Sequence, residues 1–461
     1  MDAVCPQHTA LFLSQSLGQS RLSVCLLMKN PNQCLFGLCL IVVLTRNVLA
    51  AENAIEFPAK AQDTNAAFNT NVLTLDAAVR LALENNPQIR VIAADIASAR
   101  GEVLTAKTWQ NPEISVAPGF KTIRDPSTTE FHGDFGVEQT FEWPGKRALR
   151  RAVAEKNVAV RQLALTGFRS QLAIQVRRIY FTLLATREVV VLREQRLTLA
   201  KSFVDAAKKK VEGGFAPEFE ATKAEVEVVT AQKSLREAQA RHDAARVALN
   251  ALMGRKPTES FTVAGALGDG PVLPKQSALL EQALAQNPAV KVQEAEAERT
   301  GLSLQSIRKS RLPDFKVGPS FEYTRDEQIV GFGLSLPLPL WDKKKGEIAT
   351  ATAAQEKALA ELEKLRREIL RDVTTASQNL TAAKESLAFY TPALRDKLKI
   401  ALDAAAQSYS EGRTPLLLYL ESQRTYFDTQ VDYFETLQKL FEAQAELESA
   451  TGASLDQLSQ P

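Results

Sequence analysis

Two parts of the chain alternate apolar and polar residues with a period of two. In the earlier part the apolar positions are Ile114, Val116, Phe120, Phe135, Val137 and Phe141. In the later part they are Phe315, Val317, Phe321, Tyr323, Val330, Phe332, Leu334, Leu336 and Leu338. This period is typical of strands with one apolar face. We predict four strands, at about 112–122, 131–142, 313–324 and 328–340.

A long helical pattern follows each pair of predicted strands. No proline occurs between residues 145 and 212, and apolar residues recur every seven positions at Val176, Leu183, Val190, Leu197, Val204 and Val211. A heptad pattern of this length predicts a coiled-coil helix about 100 Å long. Pro392 predicts a kink in a second long helix. The other predicted helices cover about 75–108, 277–309, 344–411 and 415–452, and one more returns to Gly254.

The chain contains two tandem copies of this plan. The stretch "ENNPQIRV" (84–91) matches "AQNPAVKV" (285–292), and "WQNPEISVAPGF" (109–120) matches "SRLPDFKVGPSF" (310–321). Further on, "DAAKKKVEGGFAP" matches "DAAAQSYSEGRTP", and "LNALMG" matches "LESATG". Four blocks in the same order indicate a duplication. We predict repeats at 74–255 and 274–453, linkers at 51–73 and 256–273, and a C-terminal tail at 454–461.

The amino terminus has the pattern of an export signal. Lys29 precedes the apolar stretch "CLFGLCLIVVL", and small residues lead up to Ala50, as in a cleaved signal peptide. We predict a signal peptide within 1–50, with an upstream extension if translation starts at Met28 rather than Met1. A short membrane anchor, or lipidation at Cys39, remains an alternative. All four cysteines precede Ala50, so the cleaved chain would have no disulfide or thiolate site.

Composition excludes several classes of function. Lys+Arg 56 against Asp+Glu 54 is a near balance, which gives no argument for nucleic-acid binding. His132 and His242 are the histidines that remain after cleavage, and they are far apart in the sequence. The chain has no nucleophile elbow, phosphate loop or His/Cys constellation. We therefore predict no enzyme, no cofactor and no metal site, and interpret the protein as a passive conduit.

Exported strands with one apolar face can form an outer-membrane barrel, in which every backbone group is paired. Four strands are too few for a pore, whereas three chains would supply 12. The segments "FEWPGKR" (141–147) and "LPLWDKKKG" (338–346) join strand to helix. We predict that Trp143 and Trp341 lie at the membrane interface, where Trp is favoured. The neighbouring cations are predicted to face water or headgroups; they are Lys146, Arg147, Lys343, Lys344 and Lys345. The alternative is that each Trp is a buried packing residue.

With these features the chain resembles the TolC family of trimeric outer-membrane efflux channels. The two repeats, the four strands, the long helices and the turns "EGGFAP" and "EGRTP" carry the resemblance. The motifs "EQTFEWPGKR" and "PLPLWDKKKGE" are similar to the CzcC-like branch that serves heavy-metal efflux pumps. The resemblance implies a mainly α fold with a small β part, a homotrimer with a 12-stranded barrel in outer-membrane lipid, and a helical tunnel across the periplasm. A periplasmic adaptor and a resistance-nodulation-division pump would be its partners.

The resemblance also suggests site residues. The turns at the ends of the long hairpins would dock the adaptor, through Gly213, Gly214, Pro217, Gly412, Arg413 and Pro415. Asp205 and Asp403 each precede a turn glycine by nine residues, and three chains would gather such carboxylates into a ring that selects cations. The resemblance associates the constriction with the second repeat, around Asp403. The alternative for each aspartate is a solvated helix charge.

Two other functions remain possible from the sequence. A TolC-like channel for drugs or for type I protein secretion would have the same fold and a different cargo. A periplasmic coiled-coil adaptor would also be exported and helical, but its carboxy-terminal half should be rich in β-strands. The sequence specifies neither the cargo, which for a metal channel could be cobalt, zinc, cadmium or copper, nor the resting state of the tip.

Overall fold

The computed structural model describes residues 72–122, 129–268, 270, 275–324 and 327–455. All of them belong to one compact unit, 69–461. The predicted signal peptide and nearly all of the first linker lie outside the described residues. So do most of the C-terminal tail and parts of the two turns that connect paired strands.

The first half of the described chain contains three strands and four helices. In order these are β1 (Val72–Leu73), α1 (Leu75–Asn85), α2 (Pro87–Lys107), β2 (Glu113–Thr122), β3 (Thr129–Phe141), α3 (Lys146–Glu212) and α4 (Glu218–Leu252). The second half has the same order, with one additional helix break. Its elements are β4 (Thr262–Val263), α5 (Gln276–Gln286), α6 (Pro288–Lys309), β5 (Phe315–Tyr323), β6 (Gln328–Ser335), α7 (Lys345–Ala388), α8 (Pro392–Ser410) and α9 (Leu416–Thr451).

Two helices precede the strands of the main sheet in each half, α1 and α2 in the first and α5 and α6 in the second. The prediction of one continuous helix at 75–108 and at 277–309 was therefore wrong. The break falls at an Asn-Pro pair, because proline disfavours helical backbone at the residue before it. Asn86 has φ −62° and ψ 122°, and its side chain caps α2 by accepting the amide of Gln88 at 2.9 Å. Asn287 caps α6 in the same way. Both side-chain amides donate to the end of the return helix of their half, to Leu252 O at 2.9 Å and to Ala450 O at 2.8 Å.

The return helices end on glycines that pack against these breaks. Gly254 and Gly452 have φ +68° and +78°, the left-handed region in which glycine is favoured. A Cβ at Gly254 would lie 2.6 Å from the Asn85 carbonyl, and one at Gly452 would lie 2.5 Å from Pro288 Cδ. Two of the four matching sequence blocks, the one with Asn-Pro and the one with the helix-ending glycine, are therefore in contact in each half.

The long helices of the two halves differ. Helix α3 is continuous over 67 residues, about 100 Å at 1.5 Å per residue. Its counterpart is broken rather than kinked at Pro392, because α7 ends at Ala388 and α8 starts at the proline. Thr391 caps α8 by accepting the amide of Leu394 at 3.3 Å. Among the described helices, none combines the length and apolarity needed to cross a membrane.

The core runs along the contacts of α3 and α7 with the shorter helices. Helix α3 packs against α1, α2, α4, α6 and α9, and α7 packs against α5, α6 and α9. Val176 and Leu183 of α3 are buried as the heptad predicts, and Leu172, one turn before them, is buried as well. Beyond them, Val190, Leu197, Val204 and Val211 are only half-buried, and the buried positions move to Leu192, Arg196, Ala200, Phe203 and Ala207. A straight helix drifts by about 20° per heptad, so a strict seven-residue stripe does not follow one contact line.

The main sheet is antiparallel in the order β2-β3-β5-β6. Strand β6 ends at Ser335, so the predicted extension to residue 340 was wrong. Pro337 and Pro339 lack the amide hydrogen that a sheet requires, although apolar alternation continues through them. A second, two-stranded parallel sheet pairs Leu73 of β1 with Val263 of β4, in segments predicted to be linkers.

Candidate functional site

The main sheet has one apolar and one polar face. The apolar side chains are strongly exposed, with Phe120 at 76%, Val330 at 77% and Phe332 at 75%. The opposite face carries Glu113, Asp134, Glu138, Lys316 and Glu322. Lys316 Nζ lies 2.6 Å from Glu113 and 3.9 Å from Glu138. The alternation is that of a membrane barrel, in which the apolar face meets lipid and the polar face lines the interior.

The sheet is also open at both edges. Among the described strands, β2 pairs only with β3, and β6 pairs only with β5. Edge backbone groups without partners cost several kcal/mol each in the hydrocarbon of a bilayer. A sheet of this kind can lie in a bilayer only where other strands complete its edges.

The segment from Phe141 to Arg147 joins the sheet to α3, and contacts with the second half of the chain hold it in place. Asp314, just before β5, accepts the Trp143 amide at 2.9 Å and lies 2.7 Å from Lys146 Nζ. Gly145 has φ +89°, the left-handed region that favours glycine, and a Cβ there would displace the end of the Lys309 side chain. The Lys146 side chain is only 13% exposed, so the expectation that it faces water or headgroups was wrong. Its role is to hold the two halves together where strand turns into helix.

All three tryptophans of the chain lie between a strand and a helix. Trp109 precedes β2 and is 53% exposed, with the Arg147 guanidinium 3.9 Å above its ring. Arg147 therefore stacks on an aromatic ring instead of standing free. Trp143 is 39% exposed and Trp341 is 92% exposed in the single chain, so neither is a packing residue of the core of its own chain. Their place at a membrane interface stays a prediction. Sequence reasoning missed Trp109, although its position before a strand mirrors that of Trp143 after one.

Trp341 lies in the second strand-to-helix segment, 338–346, whose backbone conformation differs from that of the first segment, 141–147. Lys344, directly before α7, has φ +52°, an uncommon conformation for a residue with a side chain. Its amide donates to Asp342 Oδ1 at 2.8 Å, and such local bonds from Asp stabilise turns. The sequence echo between the two segments thus reflects the same position in the fold, but not the same local geometry.

The two long hairpins end in turns of the same type. Gly214 and Gly412 have φ +72° and +74°, and no heavy atom lies within 4 Å of a Cβ added at either. In the first turn the Gly214 amide donates to Val211 O and the Phe215 amide to Lys210 O. The second turn repeats both bonds, and this pair of bonds defines the Schellman motif that ends many helices. Gly213 ends α3, Arg413 is exposed, and Pro217 and Pro415 directly precede the return helices.

The two turns are held side by side by an aromatic and polar cluster. Lys210 Nζ donates to Tyr409 O at 2.6 Å and lies 3.9 Å above the Tyr409 ring. The Tyr409 hydroxyl donates to Glu220 at 3.2 Å, and its ring stacks on Tyr419. Burial, with the Glu220 carboxylate, raises the pKa of Tyr409 to about 12, and burial raises the pKa of Tyr419 to about 12. The four helices therefore meet as one packed tip.

The two predicted gate residues are exposed on the helices that lead to this tip. Asp205 lies on α3 and Asp403 on α8. Asp205 is close enough to Lys208 to contribute to the raised pKa of that residue, although the hydrogen bond that Lys208 donates to Glu225 is the larger cause. The carboxylate ring therefore stays a prediction for both residues.

Comparison with known proteins decides the family. The model of the outer membrane efflux protein family matches residues 78–255 and 279–453, which is most of the chain. The chain belongs to this family. It is thus an outer-membrane transport channel rather than an enzyme, and its helices extend into the periplasm.

Relatives within the family support the heavy-metal branch. The cobalt-zinc-cadmium resistance protein CzcC of Cupriavidus metallidurans is 28% identical over 357 residues, 77% of this chain and 84% of CzcC. The nickel-cobalt-cadmium resistance protein NccC of Alcaligenes xylosoxydans is 26% identical over 61% of this chain and 64% of NccC. The outer membrane efflux protein BepC of Brucella suis is 22% identical over 76% of this chain and 79% of BepC.

Solved structures share the fold. The channel CusC has a TM-score of 0.69 at 15% identity, covering 86% of this chain and 96% of CusC. The outer-membrane channel OprN has the same TM-score at 16% identity, covering 82% of this chain and 90% of OprN. These likenesses confirm the predicted TolC-like fold, mainly α with a small β part. The alternative of a periplasmic adaptor is excluded.

One group of side chains on the polar face was missed in the sequence. His132 and Asp134 of β3 meet Glu322 of β5. Sequence reasoning considered only whether the histidines lie near each other, and His242 is on α4, where its ring nitrogen lies 3.3 Å from the Thr186 hydroxyl. The signal that could have found the group is the pairing of β3 with β5, which no local spacing reveals.

Proposed function

We propose that three copies of this family member form one passive channel with a 12-stranded barrel. The observation that carries the proposal is the four-stranded sheet, apolar on one face and open at both edges among the described strands. Three sheets joined edge to edge would pair the edge groups of β2 and β6, as a bilayer requires. A symmetric homotrimer needs only one type of contact between chains to close a ring.

The packed tip is the proposed docking site for a periplasmic adaptor. Apolar side chains are exposed around both turns, with Phe215 at 87%, Phe219 at 67% and Leu417 at 61%. Exposed apolar patches of this kind mark sites of protein contact. The adaptor would connect the tip to a resistance-nodulation-division pump in the inner membrane, which would supply the energy that a passive conduit lacks.

The proposed cargo is a heavy-metal cation such as cobalt, zinc, cadmium or copper. Support comes from the names of the relatives CzcC and NccC. A channel for drugs or secreted proteins would have the same barrel and tip. The cargo therefore needs a cellular test rather than a structural one.

The test is deletion of the gene, followed by growth on graded cobalt, zinc and cadmium and on a panel of drugs. We expect lower tolerance of the metals and unchanged tolerance of the drugs, restored by the gene in trans. Chemical cross-linking in native membranes should yield trimers. Loss of drug tolerance alone would contradict the cargo, and monomers alone would contradict the assembly.

A further inference from the structure

Three potential metal ligands converge on the polar face of the sheet, at the end away from the helices. His132 and Asp134 are two residues apart on β3 and therefore point to the same face. Asp134 pairs directly with Glu322 of β5. His132 Nε2 lies 3.3 Å from Asp134 Oδ2, and His132 Nδ1 lies 3.8 Å from Glu322 Oε1. The three groups are thus brought together by the register of two strands from different halves of the chain.

The ligand atoms already have a separation close to that around a metal ion. One atom from each residue can be chosen so that all three lie within 4.8 Å of one another. Ligands bound at about 2.05 Å in a tetrahedron are about 3.3 Å apart. Small side-chain rotations would therefore bring the three atoms onto one ion, because the carboxylates of Asp134 and Glu322 are 53% and 43% exposed and free to turn.

One ring nitrogen of His132 has no hydrogen-bond partner in the described protein. This nitrogen, Nδ1, is buried. Buried polar atoms nearly always have a partner, and an exception calls for an explanation such as a water or an ion. The nearest acidic atom, on Glu322, is beyond hydrogen-bond distance at 3.8 Å.

Two other carboxylates of the polar face are in a different situation. Glu113 and Glu138 have the Lys316 ammonium between them. The ion pairs that the structure gives to Asp134 and Glu322 both involve His132, which must be neutral to bind a metal. Two carboxylates and a neutral imidazole then leave a net negative charge that a divalent cation would compensate.

We propose that His132, Asp134 and Glu322 form a weak binding site for divalent transition-metal cations on the polar face of the sheet. One imidazole nitrogen and two carboxylate oxygens suit Zn²⁺ and Co²⁺, and the absence of a thiolate or thioether among the three disfavours Cu⁺. Three protein ligands leave at least one coordination position for water. In the proposed barrel the site lies inside, near the outer mouth, in three copies.

The site goes beyond the proposed function, and its test is separate from that of the cargo. The full-length protein is purified in detergent through a tag without histidine, and Zn²⁺ binding is measured by calorimetry. Cobalt binding is followed by its visible absorption, which reports the coordination number and geometry of the bound ion. We expect His132→Gln, Asp134→Asn and Glu322→Gln each to weaken Zn²⁺ binding at least about tenfold, since even outer-shell changes cost 10- to 100-fold.

Two matched controls separate a site from general charge or any imidazole. Glu138→Gln removes one carboxylate from the same face, and His242→Gln removes the other histidine of the described chain. Both should leave Zn²⁺ affinity unchanged, and all variants should keep the wild-type circular dichroism. Equal Zn²⁺ binding in wild type and in the three site variants would overturn the proposal. An equal loss in Glu138→Gln would also overturn it, by assigning the binding to the net charge of the face. Neither result would bear on metal tolerance in cells.

Discussion

Replacing Glu227 by glutamine should destabilise the helical body more than any surface charge change. Glu227 lies on α4 and is 3% exposed. Its carboxylate lies 2.5 Å from the guanidinium of Arg196 on α3, itself 6% exposed, and 3.1 Å from Arg424 on α9. The other ion-pair partner that the structure gives to Arg196 is Asp428, at 3.5 Å. The glutamine variant keeps the shape of the side chain but leaves the buried guanidinium without its nearest counter-charge.

The magnitude follows from the burial. Removing one partner of a buried ion pair costs about 3–5 kcal/mol, because the other charge stays desolvated. Unfolding entropy of about 2.1 cal/mol/K per residue amounts to about 0.9 kcal/mol/K for the roughly 410 residues (461 minus 50) that follow the predicted signal peptide. The expected loss in Tm is therefore about 3–6 °C.

The measurement is thermal unfolding of the purified assembly in detergent, followed by helical circular dichroism. Glu237→Gln is the matched control on the same helix. Glu237 pairs with Lys233 at 3.8 Å, and the two side chains are 56% and 76% exposed. An exposed pair of this kind is worth at most about 0.5 kcal/mol, so the control should stay within about 1 °C of wild type. Equal shifts in the two variants would refute the assignment of Glu227 to a buried network.

Three further outcomes are expected. Gly214→Val or Gly412→Val should lower the stability of its turn by about 1–2 kcal/mol, because both backbones are left-handed. Adaptor cross-linking and efflux should fall while membrane insertion persists. Normal cross-linking would contradict docking at the tip. Asp403→Ala should raise single-channel conductance or weaken block by trivalent cations in planar bilayers, with a smaller effect for Asp205→Ala; no change in conductance, selectivity or block would remove the ring. The pKa of Tyr409 is raised to about 12 from 10, so folding favours the neutral phenol; this stabilisation is complete below pH 10 and is lost as pH rises through 12. The difference in tyrosinate absorbance between wild type and Tyr409→Phe should therefore appear near pH 12. Its appearance near pH 10 would contradict the buried contact with Glu220.

The strands could be predicted because each has one apolar face and one polar face. Alternation along β5 placed Phe321 and Glu322 on opposite faces, and the structure agrees. The same signal failed beyond Ser335, where apolar residues keep the period of two but alternate with prolines. A side-chain pattern reports which residues share a face, whereas a strand also needs amide hydrogens at the partner's spacing.

The helix breaks show a similar limit. The proline at 87 was visible, but the stability of a break depends on whether the freed backbone groups find partners. At Asn86 they do, since the side chain caps α2 and also bonds to Leu252 O. That second partner is 166 positions away, so local pattern alone favoured a continuous helix.

Contacts between the halves explain the site residues that were missed or misread. Lys146 looked like a free cation because its partner Asp314 is 168 positions away. His132 looked isolated because Glu322 is brought near only by the pairing of β3 with β5. Charge and ligand type could be read from the sequence, but the partner in each case is fixed by the tertiary fold.

The open edges of the sheet have a genetic consequence. In the proposed trimer every chain contributes a third of the wall, so one defective chain spoils the whole ring. If wild-type and defective chains were made in equal amounts and mixed at random, only about one ring in eight would be entirely wild type. A variant that still pairs at β2 and β6 but cannot conduct should therefore act as a dominant negative allele. A variant that cannot pair at these edges should be recessive.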